Sequence, residues 1–463
     1  MATHTRLPFF SPVHRGGALL DRSRLLRFSA LAVPIYAAAQ PVMAYVPAIY
    51  ARDYGVPLAA LGLVLLVGQA INSLLDPLIG ALSDRTTTRF GRRRPWIAGG
   101  GLLFIAGAAM LFFPPPHPGA LWVGAGALLY YCGVSAATTA LLAWSGEISG
   151  DYHERTRIAS LFTLLSSIAL VLTLLLPAVA DQVRPADGPL RLTLFGTLVV
   201  ALAVPGLLLT LTAIPEAPSR PVTERFRFGA SLRAVFGSRP LLRVLGSDVA
   251  VTAGQGVRTG LLLFIVTVYF QRPEWAAGFF IFQYSFGILA GPIWQRIGRR
   301  LGKSDAAVLA ELLQVAINVG LAFCTPDRFG LLLFLAFLQG LTQGSGNLML
   351  RAMVADVADR HRAETGEDRT GLYYSVFSVS QKLGAALALG LALPLVGWLG
   401  FDPKSAANTP AALHGLLLVF ALGPALGHLV SAALIAGFPL NERSHSEIRR
   451  RLDAEDARLV PAE

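Results

Sequence analysis

Twelve stretches of this 463-residue chain are almost free of charged residues, and each is long enough to cross a bilayer as a helix. Uncharged apolar runs of about 18 residues or more are the sequence signature of a transmembrane helix. They lie at 28–51, 57–82, 96–113, 120–145, 158–180, 192–214, 241–270, 275–295, 305–325, 329–350, 371–399 and 411–438. The runs lack the alternation of a membrane β-strand. With 54% hydrophobic and 14% charged residues, an all-α, twelve-helix polytopic membrane protein is predicted.

The basic residues predict how the chain is oriented. Most of the 39 Lys and Arg residues lie on one side of the predicted spans, in both tails and in the segments 85–94, 215–240, 296–303 and 351–369. The positive-inside rule therefore places both termini in the cytoplasm. The net charge of +11 indicates contact with anionic membrane lipids and gives no reason to expect nucleic acid as a partner. The first span follows the tail without a small-residue cleavage site, so no removed signal peptide is expected.

The chain repeats itself across a polar segment in its middle. GALSDRTTTRFGRRR, from Gly80, has a shorter counterpart in GPIWQRIGRRLGK, from Gly291, and HERTR at 153–157 corresponds to EDRTG at 367–371. Repeated halves with a site between them are typical of alternating-access carriers. We predict two pseudo-symmetric six-helix bundles, divided as a tail 1–27, a bundle 28–214, a linker 215–240, a bundle 241–438 and a tail 439–463.

Asp76 is a carboxylate inside the otherwise apolar second span. An ionisable group there costs roughly 2.5 to 3.5 kcal/mol on insertion scales, and such a residue usually has a function. Helical spacing puts Gln69, Asn72 and Ser73 on or near the same face, and Pro77 leaves the carbonyl of Ser73 without its helical donor. These groups predict a cation or proton site. A helix contact, or a pair between Asp76 and a loop arginine, is the structural alternative.

Two cations also lie well inside spans, away from the span ends. Lys382 lies too deep in the eleventh span to reach the interface fully and needs a counter-charge, for which Asp76 across the two halves is the candidate. A fixed structural ion pair is the alternative to a switching role. Arg258, in GQGVRTGLLLF, offers a planar fork of donors that suits a carboxylate, sulfate, phosphate or several sugar hydroxyls. A pair with Asp248 or Glu311 is the alternative.

Four motifs in corresponding loops resemble one transporter family. They are DPLIGALSDRTTTRFGRRRPW from Asp76, WSGEISGDYHERTRIAS from Trp144, MVADVADRHRAETGEDRTGLYYS from Met353 and SVSQKLG from Ser378. They resemble the markers of the glycoside, pentoside and hexuronide to cation symporters, the melibiose permease relatives within the major facilitator superfamily. The resemblance implies a bacterial inner-membrane symporter, a cation site at Asp76, and matches for Lys382 and Trp144. An interfacial anchor explains Trp144 equally well.

The sequence departs from the sodium-coupled members of that family. Asn72 and Gln69 stand where an acid and an arginine often stand, and Ala37 and Ala140 stand at the best match to further acidic positions. Sodium prefers several oxygen ligands with compensating charge, whereas a proton needs a single carboxylate. We therefore predict proton coupling in preference to sodium coupling. We expect no metal site and no cofactor.

Further residues are assigned by the resemblance and by the duplication. Pro34, Pro41 and Pro47 are expected to kink the first span and to shape the cavity. Tyr36 and Gln40 on that span, with Gln69 and Trp144, are candidate substrate contacts, although packing is the commoner role for a residue of this kind on the first span. The charged residues of the cytoplasmic turns predict a gate of ion pairs, with simple orientation signals as the alternative. They are Asp84, Arg85, Arg92, Arg93, Glu154, Arg155, Asp356 and Arg369.

The predicted function is secondary active transport. No nucleotide-binding loop, metal-ligand cluster or nucleophile elbow occurs in the sequence, so we expect an ion gradient as the energy source and no enzyme activity. We predict proton-coupled symport of a glycoside, sugar or sugar acid by a monomer in the plasma membrane. A lipid, lysolipid or other organic-anion carrier of the same fold, and a transport-like membrane sensor, are the alternatives.

Overall fold

The computed structural model describes residues 21–148, 152–184, 187–214, 216, 235–343, 345–367, 369–405, 407–440, 444–448 and 450–452. The described part of the first half (residues up to 214) forms eight helices: α1 Arg22–Phe28, α2 Ala32–Gln40, α3 Val46–Arg52, α4 Leu58–Arg85, α5 Arg94–Phe112, α6 Ala120–Glu147, α7 Tyr152–Val183 and α8 Gly188–Ala213. The described part of the second half (residues from 235) contains α9 Arg239–Phe264, α10 Trp275–Leu301, α11 Lys303–Leu321, α12 Phe329–Thr342, α13 Ser345–Thr365, α14 Thr370–Trp398 and α15 Pro410–Ile435. No β-strand occurs among these residues.

The twelve predicted spans all coincide with helical segments. Ten stretches of the described chain are long and apolar enough to cross a bilayer, and one of them, Pro326–Thr365, covers α12 and α13 together. The other two predicted spans are α7, whose apolar part is Leu164–Ala180, and α10, which is helical over Trp275–Leu301. The polytopic all-α architecture is thereby confirmed.

Three spans depart from a continuous α-helix. The seventh ends in the π-helical turn Ile265–Tyr269. The first, in which the prolines predict a kink, and the tenth are interrupted. The first is divided by turns at 29–31 and by the π-helical turn Pro41–Tyr45, where the amide of Val46 donates to the carbonyl of Pro41. Proline lacks an amide hydrogen and crowds the preceding turn, which favours such a widening. The tenth span ends as α12 at Thr342, Gln343 is extended (φ −64°, ψ 133°), and α13 begins at Ser345.

The helices of each half pack mainly on one another, and the halves meet along α4 and α14. We call the side with the 86–93 turn and with residues 21 and 452, the two ends of the described chain, the terminal face. The side with the 53–57 and 399–409 loops is the opposite face. Near the opposite face, α4 and α14 run antiparallel: Gly397 lies against Leu58, Pro394 against Gly62, and Gly390 against Leu66. Small residues permit this close approach of two helices. Tyr45 and Phe280 add an aromatic contact between the halves, with ring centroids 5.9 Å apart.

Candidate functional site

Lys382 of α14 and Asp76 of α4 form an ion pair between the two halves. The Lys382 ammonium donates to Asp76 Oδ2 and also to Asn72 Oδ1, the latter at 3.1 Å. About a fifth of each side chain in the ion pair is exposed, Lys382 20% and Asp76 22%. The antiparallel packing of α4 and α14 produces this contact, because it continues the register set by Gly62 and Gly390. The pair is accessible enough to exchange with water and enclosed enough for its charges to interact strongly.

Two hydroxyl groups of α6 complete the surroundings of the carboxylate. Ser135 and Thr139 both donate to Asp76 Oδ1, Thr139 at 3.3 Å. They lie four residues apart and therefore on one face of α6. The sequence analysis names neither residue. Their four-residue spacing is visible in the sequence. It does not identify them as partners of Asp76, because Ser and Thr in an apolar span often donate only to a carbonyl of their own helix.

The remaining polar groups predicted on α4 form a chain beside the ion pair. The amide nitrogen of Asn72 donates to Gln69 Oε1 at 3.0 Å, and Ser73 donates to the carbonyl of Gln69 at 2.9 Å. Asn72 and Ser73 are buried. Gln69 therefore orients Asn72, which in turn accepts from Lys382. The Ser73 hydroxyl forms its hydrogen bond within its own helix.

Arg258 lies in a separate cavity of about 80 Å³, whose described lining belongs entirely to the second half. The guanidinium is 6% exposed and its Nη1 has no hydrogen-bond partner among the described residues. Neither predicted acidic partner pairs with it, because Asp248 accepts from Ser380 at 2.6 Å and Glu311 contacts His428. The lining groups are neutral: Gln255, Thr259, Leu262, Phe280, Gln283, Tyr284 and Gln343.

The other predicted substrate contacts are not brought to this cavity. Tyr36 is exposed and Gln40 Nε2 is buried without a described partner. Trp144 is buried beneath Phe28, with ring centroids 5.1 Å apart, and the Arg94 guanidinium lies 5.7 Å from its ring. Trp144 therefore has a packing role near the terminal face, where it contacts neither the ion pair nor the Arg258 cavity.

The predicted gate residues form ion pairs within each half. Arg93 pairs with Asp84 and donates to Ser83 Oγ at 2.5 Å. Lys303 pairs with Asp356 at 2.7 Å, and Arg369 pairs with Glu367 at 2.6 Å. Arg85 is exposed. The side chains of Glu154 and Arg155 fall outside the described part of the chain.

Glu216, a residue the sequence analysis does not name, fixes the start of α5. Its carboxylate accepts from the backbone amides of Arg92 and Arg93, each at 2.8 Å, and of Arg94 at 3.1 Å. The first amides of a helix have no partner in the helix, and a negative charge is favourable there. The Arg92 backbone is thereby tied to the segment that joins the halves. A lone glutamate in a linker gives no sequence signal for such a contact.

Known proteins resemble this chain in sequence. The family described as MFS/sugar transport protein matches residues 28–442. An uncharacterized symporter of Synechocystis is 25% identical, over 86% of this chain and 91% of its own. The putative glycoside/cation symporter YagG of Escherichia coli is 23% identical, over 87% and 88%.

Solved structures of other transporters have the same fold as this chain. The nucleoside transporter NupG superimposes with a TM-score of 0.65 at 12% identity, covering 91% of this chain and all of that one. A peptide transporter, POT, gives a TM-score of 0.65 at 14% identity, over 95% and 97%. These relatives and neighbours are transporters, and the family match covers most of the chain. The chain belongs to the MFS/sugar transport protein family and is a secondary transporter of the major facilitator fold.

Proposed function

We propose that this protein couples the movement of a proton to the symport of a glycoside, sugar or sugar acid. The observation that carries the proposal is the Lys382–Asp76 ion pair between the halves. A proton on Asp76 removes the charge that holds Lys382, and the attraction between the halves at this depth weakens. Protonation thus changes the relative stability of two arrangements of the halves, as coupling requires.

The surroundings of Asp76 favour a proton as the coupling ion. The carboxylate already accepts from Lys382, Ser135 and Thr139, and Asn72 accepts from Lys382 as well. A sodium ion would have to displace the lysine and reorient both hydroxyls, with a single carboxylate to balance its charge. A proton needs only one oxygen of Asp76.

The substrate is proposed to bind between the halves near this pair, with Arg258 as the cation that faces it from the second half. The family description names sugar transport, and YagG is described as a putative glycoside/cation symporter. The two bundles, 28–214 and 241–438, would rock about this midplane region. We assign the terminal face to the cytoplasm, where Asp84, Arg93, Asp356 and Arg369 would contribute to a gate.

Uptake into proteoliposomes tests the proposal. Purified protein is reconstituted, and accumulation of labelled methyl glucoside, methyl xyloside and glucuronic acid is measured under an imposed pH gradient or an imposed sodium gradient. We expect at least one of these solutes to accumulate under the pH gradient and to be released by a protonophore. Accumulation under the sodium gradient alone would overturn proton coupling. Transfer of a fluorescent lysolipid with no solute uptake would instead favour the lipid carrier.

A further inference from the structure

A carboxylate and an imidazole meet inside the second half, apart from the Lys382–Asp76 pair. Glu311 of α11 and His428 of α15 are 2% and 1% exposed, and Oε2 lies 2.5 Å from Nδ1. The two residues belong to different transmembrane helices that pack closely together. Buried charge in lipid is costly and usually serves a function. Neither residue takes part in the transport cycle proposed above.

The pair is suited to hold one exchangeable proton. With one such proton, the groups are either carboxylate and imidazolium or carboxylic acid and imidazole, and both states have zero net charge. Loss of that proton leaves a net negative charge in a buried site. Nε2 of His428 is buried without a hydrogen-bond partner among the described residues. Either nitrogen of an imidazole can be protonated, so Nε2 can carry a proton while Nδ1 stays on the carboxylate.

The charge of Glu311 acts on the interruption between α12 and α13. A methyl group on Gly346 would lie 1.9 Å from Glu311 Oε1, so the carboxylate oxygen sits directly against the first turn of α13. A negative charge is favourable at the N-terminus of a helix. Protonation of the carboxylate removes that interaction at the point where the tenth span is already discontinuous.

A buried chain of amides leads from this interruption to the Arg258 cavity. Gln314, one turn along α11 from Glu311, donates to Thr342 Oγ1 at 2.7 Å. Gln339 donates to Asn318 Oδ1 at 3.3 Å, and Gln283 donates to Gln339 Oε1 at 3.5 Å. Gln283 also lines the Arg258 cavity, as does Gln343 at the interruption itself. A displacement of α13 would therefore shift the side chains that line the Arg258 cavity.

The charged groups on the neighbouring helices have other partners than Glu311 and His428. Asp248 of α9 accepts from Ser380 and interacts electrostatically with Arg351 of α13. Lys382 of α14 is bound to Asp76.

We propose that Glu311 and His428 form a second proton-binding site, within the second half, whose occupancy is transmitted through the α12–α13 interruption to the Arg258 cavity. This inference goes beyond the coupling assigned to Asp76. It holds for the protein without substrate, so it can fail while proton-coupled transport at Asp76 stands, and the reverse is equally possible.

Infrared difference spectroscopy of the full chain in lipid tests the site directly. Spectra are recorded between about pH 5 and pH 8, the range in which imidazoles titrate, and the C=O stretching band of protonated carboxyl groups is followed. We expect Glu311→Gln to lose a titrating component that Asp76→Asn and Asp248→Asn both retain. In His428→Gln, the same component should no longer follow the wild-type pH dependence, because the carboxyl group has lost the imidazole with which it shares the proton.

Two results would overturn the proposal. One is a Glu311→Gln spectrum with every titrating carboxyl component of the wild type. The other is loss of the component in Asp248→Asn but not in Glu311→Gln. Because removal of a buried group can unfold the protein, Glu311→Asp is measured in parallel. It should restore a titrating component, which a purely structural role does not require.

Discussion

Lys382 and Asp76 come from different halves, so their ion pair changes whenever the halves move relative to each other. Removal of one member of such a pair leaves the other charge without its partner in a partly dehydrated position. Removal of both leaves Asn72, Ser135 and Thr139, which are neutral. The loss of stability on removal of both residues should therefore be smaller than the sum of the two single losses.

A double-mutant cycle measures this interaction. We expect Asp76→Asn and Lys382→Gln each to lower the melting temperature in detergent, and the double variant to lose less than the sum. The expected interaction energy is about 0.5 to 3 kcal/mol, at the lower end because water reaches both groups. Strict additivity of the melting-temperature shifts would show that the contact contributes no stability.

The sequence predicts the charged residues of the site better than its neutral ones. Asp76 and Lys382 stand out because a charge within a span has a large energetic cost, and opposite charges inside lipid tend to pair. Ser135 and Thr139 carry no such cost and resemble ordinary helix residues. The partner of Glu311 was also missed: Arg258 was considered, whereas His428 lies on another span, and a histidine can be neutral.

At the scale of the elements, α4 and α14 hold the halves together near the opposite face through small residues. A Cβ atom on Gly62 would lie 2.6 Å from Pro394 Cδ, and one on Gly390 would lie 2.7 Å from Leu66 Cβ. Contacts this short leave no room for a side chain. The glycines therefore determine how closely the two halves can approach on this side.

Gly62→Val should open the opposite face. Its added carbons must push α14 away, at a cost of typically about 1 to 3 kcal/mol for overpacking. Spin labels on Gly119→Cys and Asp402→Cys, with Cys132 and Cys324 replaced by serine, report the separation across that face by pulsed electron paramagnetic resonance. We expect a new population at longer distance.

Gly99→Val is the matched control, because a Cβ there meets no atom within 4 Å. It should leave the distance distribution unchanged. If Gly62→Val gives the wild-type distribution as well, close packing of α4 and α14 does not hold this face shut.

Glu216 and the start of α5 allow a second prediction at this scale. Glu216→Ala removes three charge-assisted hydrogen bonds to backbone amides, so we expect a loss of about 1.5 to 3 kcal/mol, read as a lower melting temperature. Glu367→Ala removes an exposed partner of Arg369 and should cost at most about 1 kcal/mol. Equal shifts for the two variants would contradict the capping role.

The sequence predicts the positions of the spans because hydropathy is a property of long segments. It does not predict where a span is interrupted. Pro41 and Pro47 indicate a distortion of the first span, but the π-helical turn depends on how α2 and α3 pack. In the tenth span, GSG at 344–346 permits a break, and the close contact between Gly346 and Glu311 explains why the helix begins again at Ser345.

At the scale of the whole molecule, the halves are in contact from the opposite face to the depth of Lys382. The residues proposed as a gate near the terminal face pair within their own halves, as Arg93 does with Asp84 and Lys303 with Asp356. We propose that this arrangement is one end of an alternating-access cycle, in which the halves separate at the opposite face by a rocking motion.

We propose that the charge of Asp76 couples the ion gradient to the motion of the halves. Accumulation of a labelled solute under an imposed pH gradient tests this coupling most directly. The solute is the one that wild-type proteoliposomes take up, and Asp76→Asn is compared with Asp402→Asn of the opposite-face loop as the matched control. We expect Asp76→Asn to lose accumulation but still to exchange labelled for unlabelled solute, while Asp402→Asn accumulates like the wild type. Full gradient-driven accumulation by Asp76→Asn would contradict this coupling role.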